Sequence, residues 1–216
     1  MIGYDHIVWD FNGTILDDVG IGIECVNILL ERYGHPIIKD RETYYRLFGF
    51  PIEEYYRRVG FDFSVTPYEM LAHEWVAEYR VREDTVPIRD GALELIRYFS
   101  AKGLPQTVIS ATKETMLREQ IEKLGLLSYF EETVGRGDIY AADKSALAVA
   151  WRERRMPGRT LMIGDTEHDY ETARAAGFDI VLLEGGHQPR EQLMLCDCPV
   201  LVGFPALMEW LHDRMG

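Results

Sequence analysis

Ile7-Val8-Trp9-Asp10-Phe11-Asn12-Gly13-Thr14 is the stretch that decides how this chain folds. A short apolar run carries an acid near its end and passes straight into Asn-Gly-Thr, as a buried parallel strand ending in a loop does. Three later runs share that character: Thr107-Val108-Ile109-Ser110, Thr160-Leu161-Met162-Ile163-Gly164-Asp165 and Ile180-Val181-Leu182-Leu183. Amphipathic stretches lie around them at 91–102, 113–125, 143–155 and 167–177, and Gly103, Gly125 and Gly177 stand where helix C-termini are expected. Strands alternating with helices predict an α/β fold with a mainly parallel sheet flanked by helices.

Residues 17–84 break the alternation. They show helical patterning at 19–33, 40–48, 51–59 and 66–83, interrupted at Gly34-His35-Pro36, Gly49-Phe50-Pro51 and Gly60, with no convincing strand. The natural reading is a small α-helical cap (17–84) inserted after the first strand of a core formed by 1–16 and 85–216. Its hinges fall near Leu16-Asp17-Asp18 and Thr85-Val86-Pro87. Such an insertion acts as a lid over the carboxyl edge of the sheet, where ligands of open α/β folds bind.

Over 216 residues, 47% hydrophobic and 27% charged, the composition is that of a soluble globular protein. A formal net charge of -13 leaves no basic footprint for nucleic acid. It also repels phosphorylated metabolites at long range, so a phosphate site here must make its own positive field. Cys25, Cys196 and Cys198 form neither a zinc pattern nor a disulfide framework. Cys196 and Cys198 have the spacing of a redox pair, although incidental thiols in a reducing cytosol are the plainer reading. No apolar stretch has the length of a leader or membrane helix, so a cytoplasmic protein is expected. No feature sets an oligomeric state.

Carboxylates at strand ends are the clearest chemical signal. Asp10 follows the first strand, and Asp165 and Asp169 follow a later one. Parallel strands bring such ends together, so three acids distant in sequence can converge on one divalent cation, and hard oxygen ligands suit Mg²⁺. Each acid taken singly also reads as a helix N-cap. Thr14, Ser110, Ala111 and Lys144 complete a plausible phosphate site: Ser110 ends a strand just before a helix, with the backbone N–H of Ala111 beside it. Lys144 sits where a helix begins, the end that cations avoid, which favours a ligand over the helix dipole as its partner.

These segments resemble the four motifs of the haloacid dehalogenase superfamily. Asp10-Phe11-Asn12-Gly13-Thr14 is similar to its first motif, Asp-x-Asp-Gly-Thr, and Val108-Ile109-Ser110 to its second. Lys144 matches the third, and Gly164-Asp165-Thr166-Glu167-His168-Asp169 the fourth, Gly-Asp-x-x-x-Asp. The helical insertion resembles the C1 cap of the phosphoglycolate phosphatase-like branch. The resemblance implies a Rossmann-like core and a phosphatase of small phosphorylated metabolites in which Asp10 is the nucleophile that becomes an aspartyl-phosphate. It further implies Mg²⁺ held by the Asp10 carboxylate, the Asn12 carbonyl and Asp165, with Asp169 in support. Ser110, Lys144 and the N–H groups after Asp10 would then neutralise the phosphoryl group.

Asn12 departs from the family pattern. Phosphatases of the superfamily carry Asp there, which protonates the leaving oxygen and later deprotonates water; Asn is not titratable. General acid–base catalysis is worth about 10²–10⁴-fold, so a slow or leaving-group-selective enzyme is expected unless His168 or His187 substitutes. A second reading is a weakly hydrolytic protein that binds or senses a phosphorylated ligand. A third is deamidation of Asn12-Gly13 to Asp. Within the cap, Gly49-Phe50-Pro51 is the expected specificity loop. Phe50 and Arg46, with Tyr44, Arg57 and Arg58, are candidate substrate contacts, while Tyr55 and Tyr56 read as packing residues. Lys39, the sole Lys of 17–84, shows no pattern for Schiff-base chemistry.

Overall fold

A computed structural model describes residues 3–137 and 144–213. Its centre is a six-stranded sheet, parallel throughout, in the order β3-β2-β1-β4-β5-β6. The strands are β1 (His6–Trp9), β2 (Gln106–Lys113), β3 (Glu132–Arg136), β4 (Thr160–Gly164), β5 (Asp179–Leu183) and β6 (Val200–Leu201). The strand order reverses between β1 and β4, and at such a switch point the loops beyond the carboxyl ends part to leave a crevice. Asp10 and Asp165 each stand one residue past these two strands. The register Trp9↔Ile163, continued by a hydrogen bond from the Asp10 N–H to the Ile163 carbonyl (2.9 Å), sets them side by side.

Alternation along β1 divides the core in two. Ile7 and Trp9 face one layer, where α5 (Ala92–Ala101), α6 (Glu114–Lys123) and α10 (Gly203–Asp213) bury Phe99, Ile121, Phe204 and Leu207. Val8 faces the other, where Met162 and Leu182 meet Ala148 and Trp151 of α7 (Lys144–Arg155) and Ala173 of α8 (Glu167–Ala176). Burial on both faces is why these strands read as continuous apolar runs. The predicted helices lie within two residues of their observed bounds; Asp143, the first residue of one, lies outside the described residues. β3 and β6 were not anticipated. One is a largely half-buried edge strand with Glu and Arg at its ends, the other only two residues long, and neither leaves an apolar run.

Residues 19–82 form α1 (Val19–Arg32), α2 (Arg41–Leu47), α3 (Ile52–Arg58) and α4 (Tyr68–Arg82). They close on a cluster of their own, including Val26, Leu29, Leu30, Tyr56, Phe61 and Leu71. Their two connections to the sheet run side by side: Asp17 N–H donates to the Pro87 carbonyl (3.0 Å) and Arg89 N–H to the Ile15 carbonyl (2.8 Å). The helices lie over the carboxyl ends of the strands, where the Tyr45 hydroxyl donates to the Gly186 carbonyl (3.1 Å) in the loop after β5. Among the described residues no helix is long and apolar enough to cross a membrane.

His6 carries a testable consequence of the two-sided burial. Its ring is buried at the start of β1, with Nε2 sharing a hydrogen bond with the Thr107 hydroxyl (2.9 Å), and desolvation pushes its pKa down to about 4. Well above pH 6.5 both folded and unfolded states hold it neutral. Between there and pH 4 only the unfolded chain takes the proton, so stability falls as pH falls. Denaturant titrations at pH 7 and pH 4 should show the native chain losing roughly 2–3 kcal/mol more than His6→Gln over that interval. Equal losses would rule the histidine out as the source.

Candidate active site

Lys144 is the anchor of the site. It opens α7 with its side chain buried, and its ammonium donates to Asp10 Oδ1 and to Asp169 Oδ1 (2.6 Å). Asp10, Asp165 and Asp169 are all buried, with one oxygen of each within 4.8 Å of the others. One ammonium therefore faces three carboxylates. Burial, then repulsion from Asp169, raises the Asp10 pKa well above the ordinary carboxylate range against the pull of Lys144. Burial and Asp169 likewise raise Asp165, although His187 opposes them. Asp169 is also desolvated, but Lys144 outweighs that and holds its pKa low. The same ion pairs raise Lys144 despite its burial. The surplus negative charge is what a hard divalent cation neutralises, and three carboxylates with neighbouring carbonyls are a donor set Mg²⁺ accepts.

The loops leave room for this cluster because they lack side chains. A Cβ on Gly13, whose φ is +76°, would come within 2.3 Å of Asp165 Oδ2; on Gly186 it would come within 2.1 Å of the same atom. On Gly164 a Cβ would lie 2.4 Å from that of Asp169. Asp169 serves both of the roles an acid in this position can have. Its Oδ2 accepts from the Thr166 N–H (3.0 Å) as part of a capping box that starts α8, while Oδ1 meets Lys144.

Asn12 is fixed at both ends of its amide. Oδ1 accepts from the Thr112 hydroxyl (2.8 Å), and Nδ2 donates to Asp18 Oδ2 (2.6 Å) and to the Tyr79 hydroxyl (3.3 Å). Asp18 stands at the N-cap of α1 yet caps nothing, because its carboxylate is committed to the site. Besides Asn12 it accepts from Gly13 N–H (2.7 Å) and from Tyr79 (3.2 Å), and it pairs with His187 Nε2 (3.2 Å). Burial works against its charge, but His187 and these donors hold its pKa low. Burial similarly opposes the charge on His187, and Asp18 overcomes it, raising the histidine. In the imidazolium form both ring N–H groups donate, Nε2 to Asp18 and Nδ1 to the Tyr44 hydroxyl (2.7 Å). The His187 backbone N–H donates to Asp165 Oδ2 (2.7 Å).

A cavity of about 220 Å³ opens on these groups, lined on the core side by Asp10, Asn12, Ser110, Ala111, Lys113 and Lys144. Three expected contacts are placed differently from the sequence reading. Thr14 is fully buried and its hydroxyl donates to Asp165 Oδ1 (2.8 Å), so it orients an acid and does not line the cavity. Ser110 does not precede a helix: β2 continues through an irregularity to Lys113, and the Ser110 hydroxyl accepts from the Thr112 N–H (3.1 Å). Arg46 is exposed and bonds to Glu42 (2.7 Å) and Thr43 (2.9 Å) one turn back, away from the cavity. Phe50 does line it, stacked on His168 at 4.5 Å between ring centroids, and so do Tyr55 and Tyr56. Asp18, Thr112 and Tyr79 were not singled out from sequence. Asp18 reads as a hinge residue, Thr112 lies between the run ending at Ser110 and the helix expected at 113–125, and Tyr79 lies inside the helix expected at 66–83.

Comparison with known proteins gives this geometry a family. The model of the haloacid dehalogenase-like hydrolases matches residues 7–183. A phosphoglycolate phosphatase of Mesorhizobium japonicum is 25% identical, over 97% of this chain and 95% of its own. Tyrosine-protein kinase PtkA of Mycobacterium tuberculosis is 26% identical, over 97% of this chain and 72% of its own. Among solved structures, a haloacid dehalogenase-like hydrolase of Streptococcus pneumoniae superposes with a TM-score of 0.82 at 16% identity, covering 97% of this chain and 99% of that one.

Two outcomes follow from the wiring of Asn12. Asn12→Asp sets a second carboxylate against Asp18 at hydrogen-bond distance; thermal or denaturant unfolding at pH 8 should show a loss of about 2 kcal/mol. The double variant Asn12→Asp/Asp18→Asn should regain most of it, and a failure to do so would mean that the two side chains are not coupled. Deamidation requires the Gly13 nitrogen to attack the Asn12 side chain, yet that N–H is held by Asp18. Peptide mapping should therefore find unmodified Asn12, and a substantial Asp or isoaspartate fraction would contradict the constraint.

Proposed function

The chain belongs to the haloacid dehalogenase-like hydrolase family, and on the geometry of its site we propose that it is a Mg²⁺-dependent phosphatase that hydrolyses a small phosphorylated metabolite through an aspartyl-phosphate on Asp10. The observation that carries the reading is the buried Lys144 bridge between Asp10 and Asp169, with Asp165 alongside, at the floor of a cavity that reaches Asp10. The acids fit the cation: Asp10, Asp165 and the Asn12 carbonyl would hold it, with Asp169 behind. When bound, Mg²⁺ supplies the positive charge that lets an anionic ester approach a carboxylate nucleophile.

An Asp10 carboxylate oxygen attacks phosphorus; the new O–P bond forms as the ester P–O bond breaks, and the electron pair leaves on the ester oxygen. Lys144, the Ser110 hydroxyl and the N–H groups beyond Asp10 offset the charge on the phosphoryl oxygens. Asn12 supplies no proton, so the leaving oxygen departs as an anion and is protonated by water. A water molecule then attacks the phosphorus of the aspartyl-phosphate, the bond to Asp10 breaks, and inorganic phosphate and the free carboxylate result. The helices of residues 19–82 serve as the cap that covers the reaction. The cysteines of the described residues are free thiols, which fits a reducing cytoplasmic setting.

The fixed, non-titratable amide of Asn12 also favours a second reading, a weakly hydrolytic protein that binds a phosphorylated ligand. Steady-state phosphate release over a panel of phosphoesters separates the two. Asp10→Asn should lower Mg²⁺-dependent turnover at least about 10³-fold, and chelation of the metal should abolish it. Undiminished turnover in Asp10→Asn would exclude the mechanism. Saturable Mg²⁺-dependent binding without Asp10-dependent turnover would select the second reading.

A further inference from the structure

The cavity before Asp10 has two unlike halves. The core half holds the acids, Ser110, Lys113 and Lys144. The half facing it, supplied by residues 17–84, is built largely of rings, with Phe48, Phe50, Tyr55, Tyr68 and Trp75 among its lining residues. No Lys or Arg from residues 17–84 lines it; the charged group it contributes is Asp18, already paired with His187. Of the arginines of that region, Arg46 bonds to Glu42 and Arg57 to Glu54, while Arg58, whose guanidinium lies against Gly49, is not among the lining residues. On the core side Lys144 is committed to Asp10 and Asp169, and Lys113, which also lines the cavity, ends the strand that carries Ser110. A leaving group bearing its own carboxylate, as glycolate does, would meet aromatic faces with no cation from that half of the cavity.

Two further observations narrow the leaving group. Among the described residues, the buried side-chain polar atoms without a hydrogen-bond partner are Tyr55 Oη, His168 Nε2 and Gln120 Oε1, and all three residues line this cavity. Buried polar groups are nearly always paired, so a ligand in the cavity that reached these residues would find unpaired partners there. Asn12 cannot protonate the leaving oxygen. A phenol, with a pKa of about 10 as in tyrosine, departs without that help far more readily than an aliphatic alcohol. Space is sufficient: a cavity of about 150 Å³ takes up benzene, and this one measures about 220 Å³.

We propose, resting on the phosphatase reading, that the substrate is the phosphate monoester of an uncharged, phenol-type aromatic alcohol. Its ring lies against Phe48, Phe50 and Trp75, and its polar substituents pair with Tyr55, His168 or Gln120. The phenolate oxygen takes the electron pair of the broken P–O bond and gains its proton from water. Stacking on Trp75, itself stacked on Tyr79 at 5.0 Å, joins the aromatic wall to the hydroxyl that holds Asn12.

The test compares 1-naphthyl phosphate, phosphoglycolate and acetyl phosphate, the last a good leaving group without a ring. With the native chain and Mg²⁺, kcat/KM for naphthyl phosphate should exceed that for phosphoglycolate at least about tenfold. In Trp75→Ala and Phe50→Ala the ratio of kcat/KM for naphthyl phosphate to that for acetyl phosphate should fall about tenfold, through KM, and Trp75→Phe should restore most of it. Preference for phosphoglycolate, or an unmoved ratio in both alanine variants, overturns the aromatic subsite. Calorimetric binding to Asp10→Asn distinguishes the two levels of inference. Tighter binding of naphthyl phosphate than of phosphoglycolate, with no Asp10-dependent turnover of any ester, refutes hydrolysis but keeps the ligand class. Equal or weaker binding refutes the ligand class whatever the turnover.

Discussion

One buried ammonium against three buried carboxylates is the constraint around which this molecule is arranged. Removing one partner of such a pair typically costs about 3–5 kcal/mol, because the other charge is left uncompensated in a poor solvent. The sheet meets that cost with geometry. Parallel register at the switch point places Asp10 beside Asp165, and α7 begins at the position that lets its first side chain reach both Asp10 and Asp169. Glycines at 13, 164 and 186 then let backbone approach the acids where any Cβ would collide with them. Fold and site are thus one problem: the strand order that buries the core also concentrates negative charge at a single edge.

Much of this was legible in the sequence because it is local. Apolar runs locate the inner strands, three of them ending in Asp or Ser, glycine marks three of the helix ends, and the motif order points to Asp10, Ser110, Lys144 and Asp165 as neighbours. What stayed hidden depends on pairing across the chain. β3 and β6 lie toward the sheet edges and carry too little apolar surface to show a strand pattern. Thr14 reads as a phosphate ligand by its neighbourhood, yet the turn at Gly13 points its hydroxyl to Asp165. Asp18 shows no periodic or motif signal at all; only the return of α4 with Tyr79 and of the loop after β5 with His187 reveals what its carboxylate holds. Arg46 illustrates the opposite error, a charged residue that suits an anion in composition but spends its charge on its own helix.

The Asp18 network gives the substitution at position 12 a structural meaning. A carboxylate at position 12 would stand against Asp18 in a desolvated site, and two such groups cannot both ionise without a large cost. An amide satisfies the same position without conflict, because its nitrogen has donors for Asp18 and Tyr79 and its oxygen accepts from Thr112. Asn12 is therefore matched to Asp18, and Asp18 is matched to His187. The amide thus bridges the loop after β1 to Asp18 and to Tyr79 of α4 above it.

This amide has a chemical counterpart on the far side of the cavity. Asn12 cannot protonate a leaving oxygen, and an ester whose leaving oxygen is already stable as an anion needs that help least, a condition aromatic alcohols meet better than aliphatic ones. The wall opposite Asp10 is aromatic and offers no cation of its own. Each feature alone has a bland explanation, since rings pack cores and an amide caps turns. Together they are the two independent grounds, electronic at Asn12 and steric at Phe50 and Trp75, for the proposed aromatic leaving group. Related chains of this fold carry names as different as a phosphoglycolate phosphatase and a tyrosine kinase, so the fold alone does not name the substrate. The wall that faces Asp10 comes from residues 17–84, and it presents rings.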